Sequence, residues 1–146
     1  MSRTFTLEEA NTLLPVLASL VERAREAALR AGRFEREMQE LSQKIFLSGG
    51  MHVDVGAAAR RRAERDKAVQ EAQTSVEEIN EIGARVGDLE EGRLEFPCAA
   101  FDGREVLLCW KLGDGEEIGS WREDAEGSEM KDVADGPFRK ERDRPN

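Results

Sequence analysis

Cysteine and histidine are the first candidates for chemistry in this sequence, because their side chains act as nucleophiles, bases and metal ligands. Cys98 and Cys109 lie in one short region, whereas His52, the sole histidine, lies far upstream. A catalytic thiol needs a base beside it, and a metal site needs ligands at spacings such as Cys-x-x-Cys or Glu-x-x-His. Neither spacing occurs. We therefore predict no catalytic residue, no metal and no cofactor.

Neighbouring carboxylates are the second candidate, and the chain has them at Glu8-Glu9, Glu90-Glu91 and Glu116-Glu117. The first pair is explained by helix capping, and the other two fall in a loop and beside a turn. Acid–base catalysis requires two carboxylates in contrasting environments, which nothing in the sequence indicates. A small enzyme or ligand binder with a pocket between sheet and helices, near Trp110, is kept as an alternative. Carboxylates with shifted pKa values lining such a pocket would support it.

One segment concentrates positive charge, with Arg60, Arg61, Arg62, Arg65 and Lys67 close together. Successive residues point around a helix, and acidic residues interleave, so a solvated helix face explains the run. The net charge is −9 and the pI about 4.8, which disfavours nucleic acid as a partner. A local contact with RNA through this basic patch is retained as the alternative.

The region from Gly83 to Trp121 contains the strands that must position these side chains. A loop of Phe101, Asp102 and Gly103, with Gly103 in the left-handed conformation, sorts the flanking residues better than a two-residue turn does. It places an apolar set on the inner face: Leu94, Phe96, Cys98, Val106, Leu108 and Trp110. It places a mostly polar set on the outer face: Glu95, Pro97, Ala99, Glu105, Leu107, Cys109 and Lys111. The two cysteines then lie on opposite faces, which excludes a disulfide between them.

A third strand, Glu116–Arg122, is predicted after the turn at Gly113-Asp114-Gly115. Pairing Leu112 with Glu116 puts Ile118 beside Trp110. It also puts Trp121 opposite Leu107, near Cys109, on the outer face. We predict that Leu107, Cys109 and Trp121 form an apolar patch there, which is either covered by the first helix or the tail, or docks a second copy. Pro97 lacks a backbone donor, which favours the first strand as an edge strand.

The first helix opens with a capping box, in which Thr6 and Glu9 exchange hydrogen bonds. A seven-residue apolar pattern then runs from Leu7 to Ile45, and Pro15 within it predicts a kink. A third apolar position, occupied by Phe34 and Leu41 among others, makes the stripe too wide for one partner helix. The helix therefore contacts a second helix and also the sheet, a second subunit, or both.

A second helix is predicted from Asp54, as its cap, to about Val86, after a turn at residues 48–53. Its seam reads Val69, Ala72, Val76, Ile79, Ile82 and Val86. Two arrangements remain open for the far half of the hairpin. Either Arg62 and Arg65 lie in the seam, with Glu35 opposite Arg65, or Ala59 and Ala63 replace them and both arginines turn to solvent.

The elements together predict an α+β fold, a long antiparallel helical hairpin packed on a short three-stranded antiparallel meander. At 146 residues, we expect a single domain over residues 1–122 and a disordered acidic and mixed-charge tail over residues 123–146. No apolar run is long enough to span a bilayer, and a signal-peptide pattern is absent, so we expect no membrane association and a cytoplasmic location.

Two segments resemble a known family, namely FTLEEANTLLPVL and VGDLEEGRLEFPCAAFDGREVLLCWKLGDGEEIGSW. They are similar to a bacterial family of uncharacterised proteins, domain of unknown function 2203, over roughly residues 4 to 124. The resemblance implies a small cytoplasmic protein with long helices, a β-hairpin and no established activity. Members commonly have histidine after the last tryptophan, where this chain has Arg122. A role for that histidine therefore does not carry over.

The function class that the pattern favours is a non-enzymatic protein-interaction or self-associating module. The prediction rests on the amount of apolar surface, which exceeds what one helical hairpin can bury. We expect a homodimer, or a complex with another protein, formed through the wide stripe of the first helix or through the Leu107, Cys109 and Trp121 patch.

Overall fold

The computed structural model describes residues 3–47, 49, 55–100, 102–125, 127–136 and 138, and places them in an α+β fold. Two long helices precede a sheet of five antiparallel strands. The elements are α1 (Leu7–Leu47), α2 (Val55–Ile82), β1 (Arg85–Asp88), β2 (Arg93–Ala99), β3 (Glu105–Lys111), β4 (Ser120–Glu123), β5 (Lys131–Asp132) and a 3-10 turn (Val133–Asp135). The chain forms two compact units, a sheet unit of residues 1–22 and 76–146 and a hairpin unit of residues 23–75.

The start of α1 has the predicted capping box. The backbone N–H of Thr6 donates to Glu9 Oε1 at 3.0 Å, and the backbone N–H of Glu9 donates to Thr6 Oγ1 at 3.1 Å. The hydrogen bond from the Thr6 backbone lowers the pKa of Glu9, because it stabilises the carboxylate. The helix continues through Pro15, whose missing N–H does not end it.

The α2 helix ends four residues earlier than predicted, at Ile82 rather than about Val86. Gly83 ends it with φ of 112°, a conformation that a residue with a side chain rarely adopts, and its N–H bonds Asn80 O at 3.0 Å. Val86 belongs to β1 instead. The predicted turn at residues 48–53 and the Asp54 cap fall on positions of which only Gly49 is among the described residues.

The β2·β3 register is the one predicted by the alternation of apolar and charged residues. Leu94 pairs with Trp110, and Phe96 pairs with Leu108. The Ala100 N–H donates to Arg104 O at 2.7 Å, and Gly103 has φ of 88°, as the three-residue loop requires. All the residues predicted for the inner face are buried. Phe5 packs edge-on against Phe96 with ring centroids 5.6 Å apart.

The prediction for the next strand is wrong by one residue. Trp121 pairs with Leu108, and Arg122 pairs with Leu107. A shift of one residue exchanges the two faces, so Trp121 points inward and Arg122 outward. The cause is the β3–β4 connection, which runs to Gly119 before β4 begins. Its Ile118 N–H donates to Asn11 Oδ1 at 2.8 Å, a contact with α1 that local turn rules do not contain.

The sheet has five strands rather than three, since β1 and β5 flank the predicted meander. β2 is therefore paired on both sides, and the edge predicted from Pro97 exists only locally. β1 reaches Glu95, and beyond it the Phe5 N–H donates to Pro97 O at 2.7 Å. The N and O atoms of one strand residue point to the same side of the strand. The missing N–H of Pro97 therefore lies on the side of β2 that β1 does not reach, so no strand-to-strand hydrogen bond is lost there.

The sheet also extends past residue 122, where a disordered tail was predicted. Its last strand is β5, a 3-10 turn follows to Asp135, and Phe138 packs against the core. Residues 139–146 lie outside the described part of the chain. None of the described helices is long and apolar enough to cross a membrane.

The hairpin unit resolves the two alternatives for its seam in favour of arginine, but with a different pair. Arg65 Nη1 lies 2.6 Å from Glu35 Oε2, as predicted. Arg61, and not Arg62, is the second seam arginine, with its Nε 3.3 Å from Glu37 Oε2. Arg62, like Ala59 and Ala63, is exposed.

Candidate functional site

The outer face of the sheet carries a charged pair over an apolar floor. Glu95 on β2 and Arg122 on β4 lie on either side of β3, and Arg122 Nη2 is 2.7 Å from Glu95 Oε2. The pair therefore spans β3 at the level of Leu107 and Cys109, which are their cross-strand neighbours. Leu107 and Cys109 are 1% and 3% exposed, so the chain itself covers this face.

Gly87 fixes the other side of the Glu95 carboxylate. A Cβ atom added to Gly87 would lie 2.9 Å from Glu95 Cδ, closer than such atoms approach. The β1·β2 register shifts at this point, between Val86 and Asp88, which is the signature of a bulge. The carboxylate is thus held between a glycine on β1 and a guanidinium on β4, an arrangement that fixes both side chains.

Both cysteine thiols have low reactivity. Burial raises the pKa of Cys98 to about 11, and the nearby Glu9 carboxylate adds to the effect. Burial likewise raises the pKa of Cys109 to about 11, with a further contribution from Glu95. Both are therefore protonated at neutral pH and make poor nucleophiles. They are free thiols, as the assignment to opposite faces predicted.

The predicted interaction patch of Leu107, Cys109 and Trp121 is divided between the two faces of the sheet. Leu107 and Cys109 lie outward as predicted, but Trp121 lies in the inner core and is 4% exposed. The Trp121 indole Nε1–H donates to Asp132 O at 3.2 Å, and the Phe138 ring packs edge-on against it at 5.6 Å. The C-terminal segment therefore covers Trp121, but on the inner face and not on the outer face where the residue was predicted.

The predicted basic patch is partly neutralised. Arg61 and Arg65 bond to Glu37 and Glu35, and Arg65 also bonds Asp66. The other members of the patch, Arg60, Arg62 and Lys67, are exposed on α2. The structure thus leaves a smaller cationic surface than the sequence count implied.

A cavity of about 260 Å³ lies near Trp110, but its lining comes from strands and their connections and not from the helices, so it differs from the predicted pocket between sheet and helices. Its acidic residues have local partners: Asp114 Oδ2 accepts from the Lys111 N–H at 3.1 Å, and Glu91 pairs with Arg93. The carboxyl groups with lowered pKa values, Glu9 and Asp102, owe them to hydrogen bonds in a helix cap and a turn, and neither lines this cavity.

Metal chemistry has no ligand cluster in the described part of the chain. No group of three or more histidine, cysteine, aspartate and glutamate side chains there could hold an ion. His52 is outside those residues.

The hairpin unit exposes more of its large apolar side chains than the sheet unit does. A heptad-spaced row on α1 is only half buried, namely Phe34, Met38, Leu41 and Ile45. A groove of about 310 Å³ opens beside it, which we call the hairpin groove; its lining is Arg30, Phe34, Glu64, Lys67, Ala68 and Glu71. At the end of α1, Phe46 and Leu47 are 84% and 79% exposed. These two residues follow Ile45 outside the apolar repeat, which is a signal of exposed apolar side chains in the sequence.

No curated protein and no solved structure matches the chain significantly. A family model described as an uncharacterised conserved protein matches residues 3–131, which is most of the chain. With the helical opening and the sheet motif both inside that range, the chain belongs to the family of domain of unknown function 2203.

Proposed function

We propose that this protein is a non-enzymatic, self-associating interaction module, and that the half-buried row on α1 and the hairpin groove beside it pack against a second copy. The observation that carries the proposal is the half-buried row from Phe34 to Ile45. Apolar side chains of this size at heptad spacing are normally covered by a partner helix. Here α2 offers only short or charged side chains at the matching level: Ala57, Ala58, Arg61 and Arg65.

The rim of the hairpin groove favours a second copy over another class of partner. It carries two cations, Arg30 and Lys67, and two anions, Glu64 and Glu71, and Arg30 and Glu71 form an ion pair with each other. In a two-fold interface the same surface occurs on both sides, so Lys67 of one copy can pair with Glu64 of its mate. A uniformly anionic partner such as RNA would meet Glu64.

An enzymatic role has less support, because both thiols are protonated at neutral pH and the carboxylates near Trp110 are engaged locally. We further infer a cytoplasmic location, which suits two free thiols on opposite faces of one sheet. Neither inference is needed for the self-association proposal.

Sedimentation velocity of the full-length protein over a micromolar concentration range tests the proposal. We expect a concentration-dependent dimer whose dissociation constant rises at least tenfold in the Leu41→Glu variant, because a charge is then buried at the interface. Val16→Glu is the matched control, since Val16 is also an exposed apolar residue of α1 but lies in the sheet unit. A wild-type protein that stays monomeric throughout, or a dimer that Leu41→Glu leaves intact, contradicts the proposal.

A further inference from the structure

The C-terminal segment occupies a defined site around Trp121. Besides the indole hydrogen bond to Asp132 and the Phe138 ring, Lys131 Nζ lies 5.0 Å from the centre of the Trp121 ring. β5 pairs with β4 through Ser120 and Trp121, and the Val133 N–H donates to Gly119 O at 3.0 Å. The site thus combines a strand edge, a cation–π contact and an aromatic pocket.

The fit between the segment and the site is close. A Cβ atom added to Gly136 would lie 2.6 Å from Trp121 Nε1 and 2.5 Å from Phe138 Cε2, so the backbone itself packs between the two rings. The rest of the segment has few contacts with the sheet. Its strand is two residues long, and both of those residues are exposed.

We propose that Trp121 and the edge of β4 form a peptide-docking site, which the resting protein fills with its own C-terminal segment. The partner is an extended peptide that adds a strand to β4 and carries a lysine or arginine, followed several residues later by an aromatic residue. The bound segment itself shows which chemistry the site accepts: Lys131 over the indole and Phe138 against its edge. Addition of a strand to a sheet edge is a common mode of peptide recognition. This site lies in the sheet unit, and it does not depend on the hairpin groove.

The covalent link explains why the site is filled in the resting protein. Residues 124–130 join β4 to β5 and include Gly127 and Ser128. So short a covalent connection holds the segment at an effective concentration of roughly millimolar order. A free peptide with the same contacts therefore competes poorly until the intramolecular segment is weakened.

Fluorescence polarisation with a labelled synthetic peptide of residues 129–140 tests this proposal on full-length proteins. Phe138→Ala removes the ring that closes the pocket, and we expect the peptide to bind this variant at least tenfold more tightly than it binds wild type. A peptide carrying the same Phe138→Ala change should lose that gain. Met130→Ala is the control protein, because Met130 is 47% exposed and lies just before the segment. We expect it to bind like wild type.

Equal binding of the peptide to wild type and Phe138→Ala overturns the proposal, as does absence of binding to a variant whose circular dichroism remains native. Should Phe138→Ala fail to fold, Lys131→Ala provides the second variant, since it removes the contact over the indole and the ion pair with Glu123 but keeps the Phe138 ring. We then expect a smaller gain in peptide binding of at least threefold. No gain in that variant would also overturn the proposal.

Discussion

The two units of this molecule bury their apolar side chains by different means and to different extents. In the sheet unit, one face packs against the helices and the other is closed by the Glu95–Arg122 pair, so that Leu107, Leu108 and Cys109 are all buried. In the hairpin unit, alanines and arginines of α2 stand opposite the larger side chains of α1, which stay half exposed. The sheet unit, which has long-range strand pairing, buries its apolar side chains within the chain. The hairpin unit, which has only two helices, leaves part of its apolar surface exposed.

Charge separates the two units as well. The hairpin unit has eleven basic and eight acidic residues, a net charge of +3, while the sheet unit has eleven and twenty-three, a net charge of −12. The overall value of −9 therefore hides a basic unit. A single net charge describes solubility, but the partner of each surface has to be judged from the charges of that surface.

The largest expected difference between the units concerns truncation of one leucine in each. Leu108→Ala should lower the free energy of unfolding by about 2–5 kcal/mol, because it opens a cavity in a core that the sheet holds rigid. Leu41→Ala should cost about 1 kcal/mol or less, since the side chain is already half in water. Urea denaturation of the two variants measures both values, at protein concentrations below the dissociation constant of the dimer. Equal losses would remove the contrast between the units.

A smaller difference is expected for ion pairs. Arg122→Ala leaves the Glu95 carboxylate buried without its cation and should lower the free energy of unfolding by about 2 kcal/mol. Arg65→Ala breaks a pair in the hairpin unit whose Glu35 remains hydrated, so we expect little measurable change. Thermal unfolding of the two variants provides the comparison. A larger loss for Arg65→Ala would mean that the hairpin seam, and not the outer sheet face, depends on its charges.

The smallest effect concerns the thiols, and it tests whether the outer face is closed. Folding raises the pKa of Cys109 from about 9 to about 11, so at pH 8 its thiolate should be roughly a hundredfold scarcer than in the unfolded chain. We expect iodoacetamide to alkylate the native protein at least tenfold more slowly than the protein in urea.

The sign of the linked pH effect on stability follows from the same shift. The folded protein retains the proton between pH 9 and pH 11 while the unfolded chain releases it, so the contribution to stability is complete below pH 9 and declines toward pH 11. Rapid alkylation of the native protein at pH 8 would show that the Glu95–Arg122 pair does not close the face.

Local patterns in the sequence were sufficient for several elements. The capping box at Thr6 and the β2·β3 register about Gly103 were both predicted correctly, because each depends on residues within a few positions of one another. The opposition of Glu35 and Arg65 was one of two arrangements that the sequence left open, and the structure decides between them. The C-terminal limit of α2 was missed, because two glycines, Gly83 and Gly87, were both able to end it.

The sequence alone determined the fold class. It also determined the inner face of the β2·β3 hairpin and the separation of the two thiols, since alternation of side chains in a strand does not depend on distant residues. Only the tertiary structure decided the position of Trp121. The β3–β4 connection is hydrogen-bonded to Asn11 of α1 through Ile118, and the indole is covered by Asp132 and Phe138. A shift of one residue exchanges the faces of a strand, and contacts between residues this far apart in the chain leave no local pattern by which to predict it.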